Sequence, residues 1–188
     1  MTRDDIITLP NPHLREKSAK VQGIDQKVST LLGDMEAALL DWEAHRPHEL
    51  GVALAAVQVD KLVRAVVVRN NFEDKTDSSF FALINPEIIK LEGTVVTDHE
   101  GCLSVKDVYG LVPRYSKVRI RALDKDGREI RFKAHGFLAR VLQHEIDHTN
   151  GIMFIDHIKD QDAFFKLDKQ GELIKVDYET ISKSRILW

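Results

Sequence analysis

The sequence predicts an α+β fold in a single domain, on three observations: an early helical pattern, a run of strand patterns through the middle, and a second helical pattern after them. A length of 188 residues suits one domain with a small appendage. Ile6 to Val21 contains Pro10 and Pro12 and reads as an extended arm. From Asp25 onward, Val28, Leu31, Leu32, Met35, Leu39 and Trp42 recur at spacings of three and four, which is one apolar face of a helix. That helix is expected to end before Pro47, because the residue ahead of a proline is pushed out of helical geometry.

The strands follow in turn. After the small-residue stretch Gly51–Gln58, the run Val63–Val68 is rich in β-branched residues and predicts a buried strand. Asn70–Ser79 is polar and reads as a loop, Phe80–Ile84 as a strand, Asn85-Pro86 as a turn, and Gly93–Thr97 as a further strand. Val118, Ile120 and Ala122 alternate with polar residues, Asp126-Gly127 supplies a turn, and Ile130 and Phe132 alternate on the return, so a hairpin is predicted there. Gly136 opens the second helix, with Phe137, Leu138, Val141, Leu142 and Ile146 on its buried side. The tail from Lys159 shows weak helical periodicity around Phe164, Phe165 and Leu167.

Composition narrows the function classes. Hydrophobic residues at 43% and charged residues at 30% exclude disorder as the main state. A net charge of −3, with bases and acids interleaved, argues against sequence-specific nucleic-acid binding, which normally needs a basic stripe. No apolar run is long enough to span a membrane. The start, Met1-Thr2-Arg3-Asp4-Asp5, resembles neither a secretory signal nor a transit peptide, and the lone cysteine forms no internal disulfide. A cytoplasmic protein is expected. There is no Gly-rich phosphate loop and no Gly-x-Ser-x-Gly elbow.

The chemistry is concentrated in the second helix, at His144-Glu145-Ile146-Asp147-His148. Residues four apart share a helix face, so both imidazoles reach one ion, and Glu145 stands beside them to carry a proton from water. By composition, about 0.02 copies of His-Glu-x-x-His are expected by chance, so a metal site is the better account. The third ligand is less determined. A metzincin-type histidine is excluded because Phe154 occupies its position, and Glu172 lies in a polar stretch without helix signals. Cys102 is the better donor, since a thiolate with two imidazoles leaves one position open for water; His99, His135 and His157 are the alternatives.

With these residues in place, the sequence resembles the peptide deformylase family. Gly51–Gln58 is similar to its Gly-x-Gly-x-Ala-Ala-x-Gln stretch, Glu100–Ser104 matches Glu-Gly-Cys-Leu-Ser, and Gln143–His148 matches Gln-His-Glu-x-Asp-His. Pro12–Arg15, Leu83–Ile88 and Val112–Arg114 also look family-like, so the resemblance runs from about Ile6 to Ile158. It implies a compact domain with antiparallel strands packed around a metal-binding helix. Cys102, His144 and His148 would be the metal ligands, and Fe(II) the native ion, with zinc, nickel or cobalt as substitutes. Ligand type alone points to zinc.

The resemblance further implies removal of formyl from the N-terminal formyl-methionine of nascent peptides. Glu145 would be general base and acid, and the Gln58 amide and Leu103 backbone N–H would receive the oxyanion. Gly51, Val52, Ala53, Gly101, Phe137 and Val141 would contact substrate, Gly51 by letting the peptide backbone approach. Three positions depart from the family pattern: Ala53 stands for its second glycine, Val57 for a proline, and Lys106 for another. If Ala53 needs a positive φ, or the peptide passes close to it, its methyl crowds the groove. The expected division is a deformylase-like catalytic domain over 1–158 and a C-terminal extension over 159–188. Phe164, Phe165, Leu173, Ile186 and Trp188 would pack the extension on the body; docking to a ribosome or another subunit is the alternative. A monomer is expected.

Overall fold

A computed structural model describes residues 1–46 and 48–183. Pro47, Ile186 and Trp188 lie outside the described residues. Among the described residues there are seven strands in one sheet: β1 (Ala53–Ala55), β2 (Ala65–Arg69), β3 (Phe80–Cys102), β4 (Val105–Leu123), β5 (Glu129–His135), β6 (Phe164–Leu167) and β7 (Leu173–Lys175). The helices are α1 (Gln26–Ala44), α2 (Gly136–His148) and a short α3 (Tyr178–Lys183). The sheet order is β1-β2-β3-β4-β6-β7, with β5 also on β4, and every pair of these strands is antiparallel.

Helix α1 starts where its cap stands. Asp25 is extended, and its carboxylate accepts from Val28 N–H at 3.0 Å, satisfying one of the donors a helix start leaves free. Leu32, Met35 and Leu39 are buried as the periodicity predicts. They pack on Leu54, Ala65, Val67 and Ile84, while the alternate residues Ala53, Ala55, Val66 and Val68 face a second cluster with Val141, Leu142 and Ile146 of α2. Strands β1 and β2 therefore lie between the two helices and are apolar on both faces.

Three local expectations fail. Asn85-Pro86 is not a turn: β3 runs through it with a register shift between Ile84 and Glu87, and Asn85 sits at φ 52. Pro86 lacks a ladder donor and is absorbed by the bulge. The Asn85 amide meanwhile pairs with Val21 N–H (2.8 Å) and C=O (2.9 Å), fastening the N-terminal arm. The arm is not simply extended either, since Pro12–Arg15 closes a 3-10 turn capped by Asn11. Phe164–Leu167 is strand β6 instead of helix, because Phe165 and Phe164 pair with Tyr109 and Gly110 of β4.

Candidate active site

The long β3–β4 hairpin and helix α2 carry the site. Cys102 and Val105 are paired across a tight turn made by Leu103 and Ser104, so the Glu-Gly-Cys-Leu-Ser stretch is a strand end and its turn. Helix α2 is pressed against β4 by Gln143, whose side chain accepts from Tyr115 N–H (3.1 Å) and donates to Tyr115 C=O (2.9 Å). This double clamp sets the rotation of α2. As a result its polar residues Arg140, Gln143, His144, Glu145 and His148 are buried together with its apolar ones.

The three predicted donors meet. One ligand atom from each of Cys102, His144 and His148 lies within 4.8 Å of the others. His148 Nε2 is 3.2 Å from His144 Nε2 and 3.2 Å from Cys102 Sγ. Two imidazole nitrogens facing each other at that distance need a proton or a shared cation between them, and with a thiol alongside the set suits a borderline divalent metal. Burial, and then the neighbouring His144, push His148 well below the usual histidine range, which keeps a lone pair free. His99 and His135 are not part of this group, and His157 instead pairs with Asp147 at 2.8 Å.

Around the donors stands a buried ionic network that sequence reasoning missed. Glu100 Oε2 lies 2.9 Å from His144 Nδ1, and the same carboxylate accepts from Arg114 (2.9 and 3.1 Å) and Arg140 (2.7 Å). Burial opposes ionisation of Glu100, but the hydrogen bond and charge of His144, followed by those of Arg114, hold it well below the usual carboxylate range. Arg114 also binds Asp147. The signal available was the acid and arginine within motifs read for their neighbours.

Glu145 is 4% exposed, and its Oε2 has no hydrogen-bond partner. Burial pushes its carboxyl up to about 7, a value at which a group both accepts and returns a proton near neutrality. Gln58 is 1% exposed and fixed in orientation: its Oε1 accepts from Ala55 N–H (2.8 Å), and its Nε2 lies 3.2 Å from Ser104 Oγ and 3.5 Å from Cys102 Sγ.

These residues open on a groove of about 470 Å³. Cys102, Leu103, Gln58, His144 and Glu145 line it, as do Val52, Ala53, Gly101, Phe137 and Val141. His148 holds its place from behind, and Gly51 is likewise outside the lining: a Cβ there would lie 2.9 Å from Leu39 Cγ, so its smallness serves the packing of α1. Phe137 is 52% exposed instead of buried on the helix, and its ring meets Phe72 edge-on at 5.0 Å. Phe72 comes from a loop whose polar composition hid it. Positive φ among described non-glycine residues falls at Asp60, Asn85 and Asp107, so Ala53 has ordinary strand geometry and no conformational need for glycine.

Three grouped donor residues beside a buried carboxyl, with Cys102, His144 and Glu145 all lining one groove, suit the chemistry of a metal-dependent hydrolase. The polypeptide deformylase family model matches residues 3–164, and the chain belongs to that family. It is 43% identical over 170 residues to a peptide deformylase of Thermomicrobium roseum, covering 89% of this chain and 92% of that one. A Mesorhizobium japonicum peptide deformylase is 40% identical over 153 residues, covering 81% and 82%. Among solved structures, the peptide deformylase of Synechococcus elongatus in complex with actinonin superposes with a TM-score of 0.75 at 32% identity, over 83% of this chain and 80% of that one.

Proposed function

We propose that this enzyme hydrolyses the formyl group from N-terminal formyl-methionine, with Cys102, His144 and His148 holding a divalent cation and Glu145 moving the proton. The observation that carries the reading is Glu145 itself: a buried carboxyl with a free oxygen, facing the same groove as Cys102 and His144. When bound, the cation supplies Lewis acidity toward water and carbonyl oxygen. Fe(II) is the ion we propose on family resemblance; zinc, nickel or cobalt would suit the same sulfur and nitrogen donors.

The residues divide the rest of the work. A formamide resists water, so the attacking water must lose a proton, and Glu145 accepts it. As the carbonyl oxygen gains charge, the Gln58 Nε2–H and the Leu103 backbone N–H donate to it; one such donor is worth ~10²–10³ in rate. Glu145 then delivers its proton to the departing amine, the C–N bond breaks, and formate and a free α-amine result. Glu100 holds the His144 tautomer by accepting from Nδ1–H, which leaves Nε2 for the cation. Val52, Phe137 and Val141 offer an apolar surface to the methionine side chain.

Among the described residues no helix is long and apolar enough to cross a membrane. We read the setting as the cytoplasm, the substrate as a chain leaving the ribosome, and the working form as a monomer. The test is formate release from formyl-Met-Ala-Ser by protein purified without oxygen and loaded with Fe(II), with acetyl-Met-Ala-Ser as control. Release selective for formyl and lost on chelation is expected; no release from folded, loaded protein would overturn the assignment.

A further inference from the structure

Part of the groove is built by chain beyond the family match. Residues 165–175 follow the matched stretch, which ends at 164, yet Leu167, Gly171 and Leu173 line the same groove as Cys102 and Glu145. The β6–β7 hairpin is held at base and tip. At the base, β6 pairs with β4 at Gly110, where a Cβ would come within 2.2 Å of Ile158 Cδ1, so Ile158 packs closely over the glycine. At the tip, Gly171 sits at φ +86, and a Cβ there would lie 3.1 Å from His48 Cβ and Cγ. Phe165 meets the His99 ring edge-on at 4.7 Å, and His99 is also in the lining.

Leu167 and Leu173 are direct cross-strand partners. Their side chains therefore leave the hairpin on one face, side by side, and both reach the groove. They form an apolar plate. The nearby cation Arg46 is already engaged by Asp107 at 2.7 Å and Glu49 at 3.3 Å, while Lys106 is a second cation in the lining.

We infer that the β6–β7 hairpin is a specificity element, with Leu167 and Leu173 receiving an apolar side chain of a substrate residue downstream of the formylated methionine. The inference rests on the deformylase reading above. A peptide whose formyl group reaches Glu145 has only its downstream residues left to extend along the groove, and the hairpin offers them an apolar contact built by this segment of the chain. An acidic or strongly polar side chain seated between the two leucines would lose water without gaining a partner from them.

The test compares kcat/KM for formyl-Met-X-Ser and formyl-Met-Ala-X, with X as Leu or Asp, and for formyl-methionine amide, which lacks downstream side chains. Wild-type protein should favour Leu over Asp by about tenfold at one of the two positions, the low end of what one methylene is worth in an apolar pocket. Leu167→Asn and the milder Leu173→Ala, each in the full chain, should lower that ratio to about twofold or less while leaving the formyl-methionine amide rate unchanged. That unchanged rate also reports a folded active site. A wild-type enzyme with no Leu preference at either position, or a preference that survives in both variants, would overturn the inference while leaving deformylation intact. Failure of every formylated substrate, the amide included, would instead overturn the deformylase reading and the inference with it.

Discussion

His144 Nδ1 lies 2.9 Å from Glu100 Oε2, joining the helix that carries two of the proposed cation ligands to the strand that ends in the third. Glu100 is two residues before Cys102, so the acid that orients one ligand is tied by the backbone to another. Arg114 and Arg140 bind the same carboxylate, and His144 followed by Arg114 keeps it charged. The geometry of the trio thus depends on a residue that touches no cation itself.

Replacing Glu100 by Gln should weaken cation binding about 10- to 100-fold, the usual effect of losing a partner that orients a histidine ligand. The change also leaves Arg114 and Arg140 buried beside an uncharged amide, so the apo protein should lose roughly 3–5 kcal/mol of stability. Chelator competition and denaturant unfolding of metal-free protein measure the two effects separately. Unchanged affinity would show that His144 is oriented by packing alone.

Ala53 lines the groove from within β1, is 2% exposed, and pairs in register with Val68. Its backbone geometry does not call for glycine, so the methyl is what a glycine at this lining position would remove. Ala53→Gly should raise kcat/KM toward formyl-methionyl peptides about fivefold, which corresponds to ~1 kcal/mol of relieved crowding. The same change should cost ~0.5–1 kcal/mol of stability, because glycine weakens a strand. Steady-state kinetics with an equal or lower kcat/KM would reject the crowding.

Acid sensitivity should include the contact between the N-terminal arm and the sheet. Lys20 at 2.8 Å, then Arg121, hold the Glu87 carboxyl at about 2, down from 4.5. A folded-state pKa below the unfolded one gives stability that is fully present above about 4.5 and is lost as pH falls from there toward about 2. The groups are partly solvated, so the effect is at most ~1 kcal/mol and shrinks with salt. Unfolding midpoints of wild type and Glu87→Gln should differ at pH 6 and converge near pH 2; a constant difference would contradict the assignment.

The helices and the β4–β5 hairpin were legible because their signals are local: Asp25 and the three-four spacing for α1, alternation around Asp126-Gly127 for the hairpin. The cation donors were legible because two of them are one helical turn apart, and the resemblance then singled out Cys102. What failed depends on distant partners. Asn85-Pro86 reads as a turn until the Asn85 amide meets Val21, 64 residues away. Phe164–Leu167 has no strand signature of its own and becomes a strand only beside Tyr109 and Gly110. Phe72 and Phe137 face each other at the groove from a loop and from a helix face read as core. Glu100, Arg114 and Arg140 form one network only after β3, β4 and α2 are assembled.

The central claim is that Glu145 carries the proton while Cys102, His144 and His148 hold the cation. It is tested most directly by measuring metal content and formate release on the same preparation of Glu145→Gln, which keeps the shape of the side chain and removes its basicity. The account predicts one bound ion per chain, as in wild type, with kcat lowered by at least ~10²-fold. Turnover within tenfold of wild type at full metal loading would contradict it.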